Sequence, residues 1–330
     1  MISESQRLVK IVKAMKGAPV LVVGDLVADR YIYGTAGRIS REAPVPIIDI
    51  ECEEIRPGGA ANTAANLASM GAKVMAVGVV GNDPHGRSLL DVLEKAGVKI
   101  GGVIKVKDRP TITKTRVMAG DLHAKRQQVI RIDRGLRTPL SQNTAREIAK
   151  ILKSNISKAS AAALSDYGFG IAHESVLKVL RDAAVSIPVV ADSRFYLAQM
   201  KGMTTVTPNE PECEALLATK ISDEKDLHKC GSELLRKLRC RYAIITRGNK
   251  GMALYRRGSR PYVIPIAKKH EAVDVTGAGD TVVAAFTLGL AVGAAPEDSV
   301  FIANHAAGVA VLRSGAVAVT AREIIESLTT

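Results

Sequence analysis

A chain of 330 residues with 47% hydrophobic and 24% charged side chains can bury a large core, as one big α/β domain or two smaller ones, which excludes disorder. Its formal charge of +13 suits any anionic partner, but aromatics make up only 3%, Trp is absent and Lys and Arg are dispersed. A solvated basic surface is therefore the simpler reading, a nucleic-acid module is not expected, and apolar stretches such as Val282 to Ala295 are too short for the roughly 20 residues of a membrane span.

Taken from the N-terminus, Leu8, Ile11, Val12 and Met15 recur at helical spacing among lysines, with no uninterrupted apolar run and no small-residue cleavage site after them. This predicts a surface helix and no signal peptide. Beyond it, short runs rich in Val and Ile alternate with longer stretches of helical period. The strands are Val20 to Val23, Val74 to Val80, Ala161 to Leu164, Val189 to Ala191 and Tyr242 to Thr246. The helices include Asn62 to Met70, Gly86 to Ala96 and Asp226 to Leu238. That rhythm predicts an α/β fold, a doubly wound parallel sheet with helices on both faces. Two segments break it, near Tyr31 to Pro57 and Val103 to Asp133. Alternation at 45–50 and the β-formers at 111–117 make them strands of a small lid inserted into one domain covering 1–330. No internal repeat, low-complexity tract or Pro/Gly-rich linker divides the chain. Cys52, Cys213, Cys230 and Cys240 lack C-x-x-C or metal-ligand spacing, so reduced thiols in a cytosolic protein are expected, and zinc is not.

The sharpest chemical signal is Asp274-Val275-Thr276-Gly277-Ala278-Gly279-Asp280, followed directly by the helix-like Thr281 to Ala291. Glycines before a helix let backbone N–H groups converge on an anion, and the helix dipole adds to the attraction. A carboxylate at that helix start can take a proton from an attacking hydroxyl while the amides of Gly277, Ala278 and Gly279 hold the transferring phosphoryl group. By itself, a Gly-x-Gly-Asp is equally a packing turn with a first-turn carboxylate. Rival nucleotide motifs are missing: there is no G-x-x-x-x-G-K-[ST], no H-R-D and no D-F-G, and a dinucleotide fingerprint would need Gly where Val282 stands. Gly58-Gly59-Ala60-Ala61-Asn62 also leads a glycine pair into a helix, where bare backbone and one amide suit close approach to sugar hydroxyls.

From Gly58 to Gly81 the chain resembles the first signature of the ribokinase-like (PfkB) carbohydrate kinases, and 274–287 resembles the second. The resemblance covers nearly the whole chain. It implies a three-layer α/β/α fold with a β-lid, ATP and Mg²⁺ as cosubstrates, and Asp280 as catalytic base. It places Asp29 on sugar hydroxyls with Gly58, Gly59 and Asn62. It places Asn209 and Glu212, in Thr207-Pro208-Asn209-Glu210-Pro211-Glu212, on the magnesium shell through water. Thr246, Gly248 and Asn304 then line the nucleotide cleft, and Asp274 and Thr276 hold a monovalent cation such as K⁺. Pairing of two chains through the lid is expected as well.

Within that family, 29–34, 38–46, 111–117, 127–133 and Leu164-Ser165-Asp166-Tyr167 resemble the D-glycero-D-manno-heptose 7-phosphate kinases, which make the 1,7-bisphosphate. The resemblance implies acceptor contacts from Asp166 and from Lys114, Arg116 or Arg131, any of which could meet an existing phosphate. Two departures stand out. Those kinases usually follow Ser-Asp-Tyr with a lysine and a glycine, whereas this chain has Gly168-Phe169-Gly170. An element that often reads Asp-Pro-Lys is Asp192-Ser193-Arg194, so Arg194 is expected to supply the displaced positive charge to the acceptor. The end at Thr330 leaves no room for the nucleotidyltransferase domain fused to some of these kinases, so a partner enzyme is expected for any such step. A kinase for another sugar, sugar phosphate or nucleoside, and a non-catalytic sugar- or nucleotide-binding regulator, remain open.

Overall fold

In the computed structural model, which describes residues 3–120, 126–267 and 272–329, one strand belongs to two sheets. Strand β1 (Pro19–Ile39) is followed by β2 (Pro46–Gly59), β3 (Lys73–Gly81), β4 (Lys99–Val106), β5 (Ile112–Gly120) and β6 (Gln127–Arg134). Then come β7 (Ala161–Asp166), β8 (Val189–Ser193), β9 (Thr205–Val206), β10 (Tyr242–Thr246), β11 (Met252–Arg256) and β12 (Tyr262–Ile264). The main sheet runs β12-β11-β10-β9-β8-β7-β1-β3-β4. It is parallel from β10 to β4 and antiparallel at β10-β11-β12. The first part of β1 pairs there through Pro19 to Asp25, and from Leu26 onward the same strand pairs with β2 and β5 in the lid, which β6 extends.

The apolar runs are parallel strands covered on both faces, which is why they lack alternation. Helices α1 (Glu4–Ala14), α2 (Ala60–Ser69) and α3 (Pro84–Lys95) precede α4 (Gln142–Asn155), α5 (Glu174–Ala183), α6 (Glu210–Leu217) and α7 (Glu224–Leu238); α8 (Ala278–Ala291), α9 (Pro296–Ala310) and α10 (Ala321–Thr329) close the chain. One core joins α1, α2, α3, α8, α9 and α10 to the sheet around Phe286, Leu67 and Ile302; the other joins α4, α5 and α7 around Ile148, Leu177 and Leu234. No helix among the described residues is long and apolar enough to cross a membrane.

The lid differs from the sequence-based expectation at one boundary. Residues 103–106 lie in β4, which pairs in parallel with β3 after α3 and so completes a βαβ unit of the main sheet. The second lid segment begins instead at Ile112, and its stretch 121–125 lies outside the described residues. The carboxyl ends of β7, β8 and β9 lie on the side where β1 passes from the main sheet into the lid, the side on which a sheet of this kind binds its ligands.

Candidate active site

Gly277 caps α8 with φ 80°, and a Cβ there would meet Asn62 Nδ2 at 2.6 Å, so the loop closes on α2 only with glycine. Asp280 therefore enters the first turn of α8 beside α2. Its Oδ2 accepts from Asn62 Nδ2 at 2.9 Å, and its Oδ1 accepts from the Tyr167 hydroxyl at 2.9 Å and Thr63 Oγ1 at 3.3 Å. Burial pushes the carboxyl up to about 6, and the donors from Asn62 and Tyr167 hold it from rising further. Amides in the first turn of a helix have no intrahelical partner, so Gly279 and Asp280 bring free N–H groups to the same spot. A carboxylate so placed can take a proton within reach of an anion-binding turn.

Asp29 lies buried at the start of the lid, with Oδ1 accepting from Arg116 at 2.8 Å. Gly58 makes room for it, since a Cβ there would lie 2.6 Å from Asp29 Oδ2. In the lid register Asp29 stands opposite Arg56 and Lys114, Tyr31 opposite Arg116, and Arg116 opposite Arg131. Paired residues point the same way, so these side chains share one face. That face meets the loops after β7 and α9: Lys114 Nζ lies 5.1 Å from the Tyr167 ring centroid, and the Arg56 guanidinium donates to the Ser314 carbonyl at 3.0 Å.

Two expected acceptor contacts, Asn62 and Asp166, are engaged elsewhere, and Arg131 on the lid face is paired within its own strand. The Asn62 amide is held between Asp280, to which its Nδ2 donates, and Asn66, whose Nδ2 donates to Asn62 Oδ1 at 3.1 Å. Asp166 is fully buried, accepting from Ser193 Oγ at 2.6 Å and Gly168 N at 3.2 Å. With Asp25, whose Oδ2 accepts from the amides of Tyr167 and Phe169, it fixes the loop that carries Tyr167. Arg131 is paired bidentately with Asp133 on the exposed strand β6.

On the other side of Asp280 two cavities join. One, of 430 Å³, is lined by Thr246, Gly248, Met252, Val275, Ala307 and Gly308, with Asn304 anchored to the Pro265 carbonyl at 2.7 Å. The second, of 410 Å³, shares Thr246, Val275, Gly279 and Val282 with it and adds Asp192, Arg194, Asn209 and Glu212. Apolar walls at one end and charge at the other suit a base and its phosphates. Asn209 and Glu212 cap α6 reciprocally, with Glu212 N donating to Asn209 Oδ1 at 2.8 Å and Asn209 N to Glu212 Oε2 at 2.9 Å. Burial and the neighbouring Glu212 push Asp192 up to about 7. Two crowded acids with Arg194 beside them fit a divalent cation arriving with phosphates, held mainly through water. Arg194 shares this cavity with Glu212 and Asn209 and also with Tyr167, which faces Lys114 of the lid. Asp274 accepts from Thr276 N at 2.9 Å and Gly315 N at 2.8 Å. Burial raises its carboxyl, but these bonds outweigh burial and hold it below the usual range.

Sequence reasoning did not select Tyr167, Thr63 or Asp192 for the site. Tyr167 and Asp192 stood inside motifs already singled out, but no local pattern tells which of their neighbours faces the cleft.

Asp280 stands between a nucleotide-sized cleft and a face built for hydroxyls, and that division belongs to a phosphotransferase with an alcohol group as acceptor. The particular group follows from comparison. The chain belongs to the pfkB family of carbohydrate kinases, whose model matches residues 18–322. It is 39% identical over 311 residues to bifunctional protein HldE of Geobacter sulfurreducens, covering 93% of this chain and 62% of that protein. It is also 39% identical over 308 residues to bifunctional protein HldE of Pseudomonas aeruginosa (strain UCBPP-PA14), covering 93% and 63%. The chain thus spans less than two thirds of these curated relatives. Arabidopsis thaliana ribokinase, complexed with ribose and ATP, superposes with a TM-score of 0.73 at 22% identity, covering 95% of this chain and 99% of that one. Escherichia coli phosphofructokinase-2 superposes with a TM-score of 0.76 at 17% identity, covering 95% and 98%. These two likenesses bear on the ribokinase-like fold.

Proposed function

We propose that this carbohydrate kinase transfers the γ-phosphate of ATP to the anomeric hydroxyl of D-glycero-D-manno-heptose 7-phosphate, giving the 1,7-bisphosphate, with Asp280 as general base. The observation that carries the chemistry is the convergence of Asn62, Thr63 and Tyr167 on one buried carboxylate at a helix N-terminus. The phosphorylated acceptor is supported by Lys114 on the lid face, where Arg56 and Arg116 are already paired with Glu54 and Asp29, and by the kinship with bifunctional protein HldE. Arg137 adds a further charge beside Tyr167. Its guanidinium lies 4.5 Å from the Phe169 ring centroid and 5.2 Å from that of Phe195, with Nη1 3.4 Å from the Tyr167 carbonyl. The stack holds the cation at the lip of the site without neutralising it.

An ATP-consumption assay over heptose phosphates, hexose phosphates, free sugars and nucleosides tests the acceptor. Heptose 7-phosphate should give the highest kcat/KM. Turnover of an unphosphorylated sugar with heptose 7-phosphate inert would retain the kinase and refute this acceptor.

Asn209 and Glu212 would hold magnesium through water, and the ion would supply positive charge to the phosphate oxygens. Glu212→Gln removes one negative charge near it and is expected to raise the magnesium concentration giving half the maximal rate. An unchanged magnesium dependence at unchanged fold would remove Glu212 from that role. Asp274 and Thr276 would hold K⁺, tested by replacing potassium with a larger organic cation at constant ionic strength.

Tyr167→Phe separates positioning from structure. Its hydroxyl donates to the ionised form of Asp280, so its loss should move the acid limb of the kcat/KM profile to higher pH. An unmoved limb would make Tyr167 merely a packing residue. Ile39, Ile50, Ile130 and Ile132 are exposed on lid strands, which supports pairing of two chains there, checked by sedimentation.

A further inference from the structure

Far from the lid, arginines from three segments line one cavity of 580 Å³: Arg236 and Arg239 at the end of α7, Arg241 just before β10, and Arg256 and Arg257 at the end of β11. Two are neutralised, Arg236 by Glu233 at 2.6 Å and Arg256 by Glu297 at 3.5 Å. Arg257 donates to the Leu235 carbonyl at 3.1 Å. Arg239 and Arg241 have no side-chain partner among the described residues, and all three of these uncompensated side chains belong to exposed residues. Guanidiniums facing one concave space repel each other, which works against the folded state unless an anion enters. A helix C-terminus attracts cations and accounts for Arg236, but Arg241 and Arg257 do not come from a helix. Arg239 also holds φ 52° and ψ 33°, the left-handed conformation in which glycine would end α7 without strain. An arginine at this position brings to the cavity a charge that glycine would lack.

We propose that this cavity is a second anion site, separate from the catalytic cleft, that binds an oligophosphate chain. Each planar guanidinium can pair two oxygens of a phosphoryl group. Three uncompensated ones offer more donors than a single phosphate accepts in one plane, so two or three linked phosphoryl groups fit better. Strand β10 runs from Tyr242 in this cavity to Thr246 in the nucleotide cleft, about 13 Å at about 3.3 Å per residue. An anion here would therefore bind at the far end of the strand that carries a cleft residue.

Inorganic tripolyphosphate titrated calorimetrically into the full chain, at an ionic strength of about 0.15 M, is the direct probe. The parent should show a site that Arg239→Ser/Arg241→Ser weakens at least about tenfold, the share of one charge-assisted contact. Both residues lie outside the catalytic site, so kcat/KM should be unchanged in the absence of the anion. The double variant's thermal midpoint should not fall, and exposed Arg257→Ser supplies an independent variant. ADP competing at this site would identify nucleotide phosphates as the ligand, and failure of ADP to displace tripolyphosphate would identify the inorganic chain; both outcomes support the site. Binding that neither variant alters, or orthophosphate binding as tightly as tripolyphosphate, overturns the proposal.

Discussion

Asp280→Asn is expected to fold and to bind ATP as the parent does, yet to turn over about 10² to 10⁴ more slowly, the range a positioned general base supplies. Asparagine keeps the shape of the side chain and can still accept from the Tyr167 hydroxyl, but it cannot take the acceptor's proton. The pocket that holds Asp280 also sets where the parent works. Burial puts its carboxyl at about 6, so below that pH the base is increasingly protonated. On the acid side kcat/KM should then fall about tenfold per pH unit. Circular dichroism and nucleotide affinity check that the variant is intact, and a steady-state rate measures the loss. A folded Asp280→Asn variant with near-parental turnover would remove Asp280 from the chemistry, whatever the sugar.

Arg194→Ala separates two placements of one charge. On the acceptor, its loss would raise KM for a sugar phosphate and leave ATP alone. Its position beside Glu212, Asn209 and Gly279 in the cleft leads to the opposite expectation. There the guanidinium meets negative charge as it moves between donor and acceptor, a contact stronger in the transition state than in the ground state. Losing one such charge-assisted contact should lower kcat about 10- to 150-fold with KM for the sugar phosphate little changed. Full kinetics with both substrates varied decide it. A rise confined to the acceptor's KM would return Arg194 to the sugar side and leave the phosphate end to the metal and the α8 amides.

Much of the architecture was legible because its signals are local. A buried parallel strand has to be an apolar run and a covering helix has to repeat every three to four residues, so β1, β3, β7, β8 and β10 with α2, α3 and α7 stand where the pattern places them. The chemistry of the α8 turn was legible for the same reason: Gly277, Gly279 and Asp280 are contiguous, and a helix N-terminus binds anions wherever it occurs. Assigning 103–106 to the lid failed because alternation describes a half-exposed strand without naming the sheet it joins. Only pairing with β3 does that.

The sequence by itself determined the fold class, the glycine turn that opens α8 and the carboxylate in its first turn. Tertiary structure decided what surrounds that carboxylate. Asn62 and Thr63 lie 218 and 217 residues from Asp280 along the chain, and Tyr167 lies 113 away, yet all three donate to it. It also decided that Asp166 is buried beneath a loop and that Arg194 shares a cavity with Asn209, Glu212 and Gly279. A residue's type is written locally, but its ionisation and its partners depend on the water it loses and the charges it meets, and distant segments supply both only when the chain is folded.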